Sequence, residues 1–203
     1  MHTRIVRGKT QNPSNPELAS GAGWRMSSIE KTLVLRWLAW NTLAWSAGIG
    51  AADRFQGPWG WIACGAIVGT AQWLALGGRL HLSPAWIAGT CFAWSVGIWA
   101  GDAHAFLILD PCWAGAVGGT LAGLAQFGVL WRRFSWSALW IPSTIAGSTL
   151  GWVAGTYAGL WVFDRSSALT AFCAGGAVGG VVIGAAALPL LLAMLRHPKP
   201  RLA

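Results

Sequence analysis

Six long apolar stretches, separated by short polar breaks, make up most of this chain. They cover about residues 29–52, 58–80, 84–101, 111–131, 136–163 and 168–195. A helix rises about 1.5 Å per residue, so stretches of roughly 20 residues can cross the ~30 Å hydrocarbon core of a bilayer. Ser27 and Glu30 have the spacing of a capping box just before the first stretch. The pattern predicts an all-α polytopic membrane protein with six transmembrane helices.

The composition agrees with a bilayer as the solvent. Charged residues make up 10% of the 203 residues and hydrophobic residues 55%, whereas soluble domains are about 25% charged. The formal net charge of +8 does not indicate nucleic-acid binding, because the basic residues lie at the ends of the apolar stretches and form no basic surface domain. We therefore predict a lipid bilayer and no nucleic acid as partner.

The placement of lysine and arginine predicts the orientation. Basic residues concentrate in the N-terminal segment, the breaks after the second and fourth stretches, and the C-terminal segment, whereas Arg54 and Arg165 fall on the opposite side. By the positive-inside rule, both termini are cytoplasmic. Residues 1–26 lack hydrophobic periodicity and are predicted to be a mobile basic cytoplasmic tail. Residues 27–196 then form the transmembrane bundle, and residues 197–203 a second cytoplasmic tail.

The second and fourth stretches repeat one motif. Glycine, glycine, glutamine, leucine and arginine recur at identical spacings in residues 65–79 and 119–133. The first and third stretches share a Trp-Ser-x-Gly motif at Trp45 and Trp94, with a looser copy at Trp152. The sixth stretch keeps the glycines but has Ala187 where the glutamine is expected. The predicted unit is a two-helix hairpin used three times, as parallel repeats.

Glycines four residues apart lie on one helix face and let two helix backbones approach closely, which drives association in lipid. The alternative is that they leave room for a ligand or a pore. The predicted helix-packing residues are Gly65, Gly69, Gly115, Gly119, Gly123, Gly176, Gly180 and Gly184.

Gln72 and Gln126 are the most informative polar residues within the stretches. An unpaired amide in hydrocarbon costs several kcal/mol, so each must bond to a neighbouring helix, to the other amide, or to water. The two side chains either hold helices together or line a polar pathway for a solute. The missing glutamine in the third copy favours the structural interpretation.

Three of the 16 tryptophans lie deep within the stretches rather than at their ends: Trp45, Trp94 and Trp152. Their indole N–H groups need acceptors when buried. These residues either pack the core or stack against a flat hydrophobic ligand such as a tetrapyrrole, carotenoid or quinone.

The sequence lacks the residues that membrane enzymes and pumps use. No charged residue or histidine lies near the middle of a stretch, and no Ser-His-Asp or H-E-x-x-H arrangement is present. We therefore predict no catalytic residues, no metal site and no cofactor.

The hairpin motifs over residues 29–195 resemble those of uncharacterised bacterial multi-pass membrane proteins with Gly-x-x-x-Gly-x-x-Gln-Trp repeats. The resemblance implies a repeat-built bundle in the bacterial inner membrane and no particular activity. The predicted function is that of a non-enzymatic structural or accessory subunit, which acts through helix packing with other membrane subunits as partners. The alternatives are a channel or uniporter for a small neutral solute, and a binder or sensor of a flat hydrophobic ligand.

Overall fold

The structure, a computed structural model, describes residues 26–55, 57–99 and 111–197 in full and the backbone of residues 100–104. Nearly all of both predicted tails lies outside these residues. The described residues form six α-helices: α1 Ser28–Phe55, α2 Gly57–Leu80, α3 Ala85–His104, α4 Pro111–Leu130, α5 Trp140–Phe163 and α6 Ala168–Arg196. The predicted all-α class is confirmed.

Local sequence accounts for the helix starts. The capping box before α1 is confirmed, since the Ser27 N–H donates to Glu30 Oε2 at 2.8 Å and the Glu30 N–H donates to Ser27 Oγ at 3.2 Å. At α6, the Thr170 N–H donates to the Oγ of the N-cap residue Ser167 at 3.3 Å. Both caps satisfy backbone donors that have no partner within the helix.

The fifth helix begins later than the apolar stretch that predicted it. A 3-10 turn occupies Ser137–Leu139, and the α-helix starts at Trp140 rather than near residue 136. Pro142 therefore lies in the first turn, where a missing N–H removes no intrahelical bond. The apolar residues before Trp140 belong to the connection from α4.

The six helices form a closed ring. Each helix packs against its neighbours in sequence, and α6 packs against α1. An ion pair joins the two helices that close the ring, with Arg196 Nε 2.7 Å from Glu30 Oε1. Side chains of all six helices fill the interior, and its largest fully buried side chains, Trp37, Trp86 and Trp94, come from the odd-numbered helices α1 and α3.

Three of the helices, α2, α4 and α6, are long and apolar enough to cross a membrane, with mean hydropathies of 1.3, 1.3 and 2.4. In α3 the stretch Ala85–Trp99 is apolar over a shorter length. The structure thus shows three candidate membrane-spanning helices, consistent with a membrane location.

Candidate functional site

The two glutamines of the repeated motif are hydrogen-bonded to each other inside the ring. Gln126 Nε2 donates to Gln72 Oε1 at 3.1 Å, and Gln72 Nε2 donates to Asn41 Oδ1 at 3.0 Å. The side chains are 3% and 5% exposed, respectively, and Asn41 is fully buried. The motif glutamines therefore connect α4, α2 and α1 through side-chain amides.

Two further bonds extend this arrangement to α3 and α5. Gln126 Nε2 also donates to Thr90 Oγ1 at 3.0 Å, and Trp140 Nε1 donates to Gln126 Oε1 at 2.7 Å. Asn41, Gln72, Thr90, Gln126 and Trp140 thus form one connected group, which we call the buried polar chain. It joins five of the six helices at one level of the ring.

The chemistry of the buried polar chain is that of neutral hydrogen bonding. An amide offers two N–H donors and one carbonyl acceptor, and Gln126 uses its carbonyl and bonds two acceptors through its nitrogen. None of its five members is a titratable group, so the buried polar chain provides no acid or base for proton transfer. A solute entering here would have to displace protein partners that already satisfy both amides.

The odd helices place their buried polar residues at matching positions. Asn41 precedes Trp45 by one helical turn, Thr90 precedes Trp94, and Ser148 precedes Trp152. Asn41, Thr90 and Ser148 are all fully buried. A polar level of the ring therefore lies next to a tryptophan level.

One group of tryptophans lies on each side of this polar level, and the tryptophans within each group contact one another. On one side, Trp140 packs edge-on against Trp37 and Trp86, with ring centroids 6.4 and 5.9 Å apart. On the other side, Trp45 packs edge-on against Trp94 at 4.6 Å and Trp152 at 6.4 Å. Edge-to-face contacts of this kind add about 0.5–1.5 kcal/mol each beyond burial. The structure thus brings together the three deep tryptophans of the sequence motif.

The motif glycines of α2 and α4 lie against the following odd helix. A Cβ added at Gly65 would lie 2.7 Å from the carbonyl oxygen of Cys91 in α3, and one at Gly115 would lie 2.6 Å from that of Ser148 in α5. The other motif glycines of these helices face the same partners: Gly69 lies against α3, and Gly119 and Gly123 lie against α5. Only glycine permits so close an approach of two backbones.

The glycines of α6 make the corresponding contact with α1. A Cβ at Gly176 would lie 2.5 Å from the carbonyl oxygen of Trp45, and one at Gly180 would lie 2.6 Å from that of Asn41. Gly184 faces the side chains of Leu38 and Asn41, and its carbonyl oxygen accepts a bond from Trp37 Nε1 at 2.9 Å. The glycine stripe of the sixth helix therefore closes the ring.

A cavity of about 360 Å³ lies between α1, α5 and α6. Trp45 and Trp152 line it, together with several glycines of α5 and α6, whereas Trp94 does not. The ring of Trp94 instead packs over Gly118, where an added Cβ would lie 2.5 Å away. Gln72 and Gln126 line neither this cavity nor the apolar groove between α1 and α2.

Sequence reasoning missed three members of the buried polar chain: Asn41, Thr90 and Trp140. The signal for the first two was their matching spacing from the Trp-Ser motif. It also missed the close approach of α5 and α6 at Gly155 and Gly175, where a Cβ on either residue would lie 2.7 Å from the carbonyl oxygen of the other.

Among the described residues, no group of three or more His, Cys, Asp or Glu side chains is placed to bind a metal ion. In comparisons with protein-family models, curated proteins and solved structures, nothing matches the chain.

Proposed function

We propose that this chain is a non-enzymatic, multi-pass protein of the bacterial inner membrane that acts as a structural or accessory subunit through helix packing. In this proposal all six helices span the bilayer as three hairpin repeats, with both termini cytoplasmic. The partners are the lipid bilayer and other membrane subunits.

The closed ring supports six spans rather than three. Each odd helix lies between two of the even helices α2, α4 and α6, which are long and apolar enough to cross a membrane. The odd helices are also apolar on their outer surface, where Leu43, Phe92 and Leu150 are exposed. Exposed side chains of this kind are stable against lipid and unfavourable in water.

The glycine contacts support the repeat. The stripe of α2 lies on α3, that of α4 on α5, and that of α6 on α1. A chain built from three equivalent hairpins requires this cyclic order, because each hairpin must present the same face to the next.

The buried polar chain is the observation that carries the structural proposal. Its two glutamines bond to protein groups on both sides, and interhelical bonds of this type in membranes contribute about 0.6 kcal/mol on average. A channel for a neutral solute would instead use the same amides to replace the water around the solute. The channel remains the alternative for experiment to decide.

Flux through reconstituted protein distinguishes the two functions. We expect vesicles containing the wild-type protein to admit glycerol and urea no faster than empty vesicles, as measured by stopped-flow light scattering. A saturable flux that is reduced in Gln72→Leu and unchanged in Thr120→Val would overturn the structural proposal. Thr120 is the control because, within the part of the chain that the structure describes, it bonds only to a carbonyl of its own helix.

Photo-crosslinking in living cells tests the accessory role. A benzoylphenylalanine at exposed Leu43, Phe92 or Tyr157 probes the outer faces of α1, α3 and α5 in turn. We expect at least one face to give a single crosslinked membrane protein in stoichiometric yield, identified by mass spectrometry. Crosslinks to lipid alone from all three faces would contradict the accessory role.

A further inference from the structure

The apolar groove between α1 and α2 has a volume of about 470 Å³. Trp40, Leu43 and Ala47 line it from α1, and Ile67 and Leu74 line it from α2. Leu43 is 63% exposed and Leu74 is 38% exposed, so the groove is open along the outside of the bundle. In the proposed topology this surface faces the bilayer.

Arg36 lies at the end of the groove that is nearer the start of α1. It is exposed and precedes Trp40 by about one helical turn. Its Nη2 donates to the carbonyl oxygen of Leu74, which lines the same end of the groove on α2, at 2.6 Å. A guanidinium has five N–H donors, so this bond leaves donors for an anion at the end of the groove.

Arg79 crosses between the same two helices in the opposite direction. Its Nη1 donates to the carbonyl oxygen of Ile29 at 2.8 Å. Ile29 lies two turns before Arg36 on the same face of α1, roughly 10 Å nearer the start of the helix. Among the residues whose side chains the structure describes, no carboxylate lies within ion-pair distance of either arginine, because Glu30 pairs with Arg196. Two positive charges therefore lie between the groove and the start of α1.

The internal repeat shows that the hairpin does not require an arginine at the position of Arg36. Arg36 lies nine residues before the tryptophan of the Trp-Ser motif in α1. The corresponding residue is Ala85 in α3 and Ser143 in the looser copy of α5. Of the three odd helices, α1 alone has a cation at this position. Helix packing common to the three copies therefore does not explain Arg36.

The order of these groups matches that of a phospholipid in the cytoplasmic leaflet. With the start of α1 on the cytoplasmic side, Arg79, Arg36 and the groove follow one another towards the middle of the bilayer. A phospholipid has its phosphate at the interface and its acyl chains towards the middle. The α2 wall from Leu74 to Ala66 is about 12 Å long, close to the roughly 15 Å of hydrocarbon in one leaflet.

The charges select an acidic headgroup. Arginine bonds phosphate oxygens through paired N–H donors, and basic pockets between helices on the cytoplasmic side bind anionic headgroups. A zwitterionic headgroup would place its ammonium near Arg79, where like charges repel. A wholly apolar partner helix would fill the groove and leave both arginines without an anion.

We propose that the groove between α1 and α2 binds an anionic phospholipid of the cytoplasmic leaflet. Its phosphate bonds Arg36, its headgroup extends towards Arg79, and one acyl chain lies along the groove. This lipid site rests on the topology proposed above and adds a specific lipid to the partners of the protein.

Native mass spectrometry of the full chain, titrated with phosphatidylglycerol or phosphatidylethanolamine of identical acyl chains, tests the headgroup. We expect the first phosphatidylglycerol to bind about fivefold more tightly than the first phosphatidylethanolamine. Arg36→Gln should remove this preference and leave the affinity for phosphatidylethanolamine unchanged. Arg132→Gln is the matched control, because it removes one exposed cytoplasmic charge that lies over Trp131, away from the groove, and should keep the preference.

A second pair of variants tests the position of the acyl chain. Ala47 lines the groove, and Ala39 is exposed on the same helix outside the groove. Ala47→Phe should weaken binding of both lipids about tenfold, equivalent to roughly two buried methylene groups. Ala39→Phe should bind both lipids as the wild type does.

Three results would overturn the lipid site: equal binding of the two lipids by the wild type, equal effects of Arg36→Gln and Arg132→Gln, or equal effects of Ala47→Phe and Ala39→Phe. Photo-crosslinking from Leu43 in cells separates this proposal from the accessory role. A lipid crosslink there, with a protein crosslink from Phe92 or Tyr157, supports both proposals. A protein crosslink from Leu43 would assign the groove to a partner subunit, which supports the accessory role and overturns the lipid site.

Discussion

Replacing Gln126 by leucine tests whether the buried polar chain holds the bundle together. The substitution preserves side-chain volume approximately, so it creates little cavity or overpacking. It removes three hydrogen bonds, to Gln72, Thr90 and Trp140. At about 0.6 kcal/mol per interhelical bond in a membrane, the three bonds contribute about 2 kcal/mol. The Trp140 N–H is left without its acceptor, which raises the expected loss to about 2–4 kcal/mol.

The companion variant Gln72→Leu should lower the free energy of unfolding by less, because Gln72 makes two side-chain bonds in the buried polar chain, to Asn41 and Gln126. We expect a loss of about 1–2 kcal/mol. Since the two glutamines contact each other, the double variant should be less destabilised than the sum of the single variants, by about 0.5–1.5 kcal/mol. Distant sites would instead give additive losses.

Reversible unfolding in mixed detergent micelles, followed by helical circular dichroism, measures these free energies. Thr120→Val is the control within α4, because Thr120 Oγ1 donates to the Ala116 carbonyl oxygen of its own helix at 2.7 Å. It should change stability by less than about 0.5 kcal/mol. If Gln126→Leu is as mild as Thr120→Val, or if the two glutamine losses simply add, the buried polar chain does not stabilise the bundle.

Three further predictions concern packing, topology and ring closure. Gly65→Ala should lower the free energy of unfolding by about 1–3 kcal/mol, since the added Cβ would lie 2.9 Å from the Cα of Cys91. Gly128→Ala places its Cβ in open space and should raise the free energy of unfolding by about 0.5–1 kcal/mol through helix propensity. The two variants should shift the unfolding midpoint in opposite directions, and equal shifts would contradict this prediction. Ser166 and Ser135 are both exposed and lie on opposite sides of the membrane in the proposed topology. In a cysteine-free background, Ser166→Cys should react with a membrane-impermeant maleimide on intact cells, whereas Ser135→Cys should react only after lysis. The reverse pattern would show that the proposed topology is inverted. Glu30→Gln keeps the capping box but removes the charge that faces Arg196 at 2.7 Å, and it should lower the unfolding midpoint by less than Gly65→Ala does, because a single ion pair at the end of a bundle contributes little. A larger loss than that of Gly65→Ala in the same unfolding assay would show that this pair governs ring closure.

The helices themselves could be predicted from the sequence because their signals are local. Apolar runs and the Ser27–Glu30 capping box each depend on residues within one or two turns. The start of α5 could not be located, because apolar residues continue through the 3-10 turn at Ser137–Leu139. Hydropathy does not distinguish a turn from a helix there.

The contacts between helices could not be predicted from the sequence, for a different reason. The motif glutamines were identified, but their partners Asn41 and Trp140 depend on the register between helices far apart in the chain. The three deep tryptophans were likewise identified as a set. The close packing of Trp94 over Gly118, however, removes it from the cavity that Trp45 and Trp152 line.

The contact of α6 with α1 means that the order of helices around the ring has no unique beginning. Glu30 and Arg196 bring the two ends of the described chain together, so a short linker could join them. New termini could then be opened between Leu80 and Ala85 without breaking any helix. Such a circular permutant would keep every helix neighbour and, in the proposed topology, would keep both ends on the cytoplasmic side. Each helix would then have the same two neighbours in the ring whichever connection carries the termini.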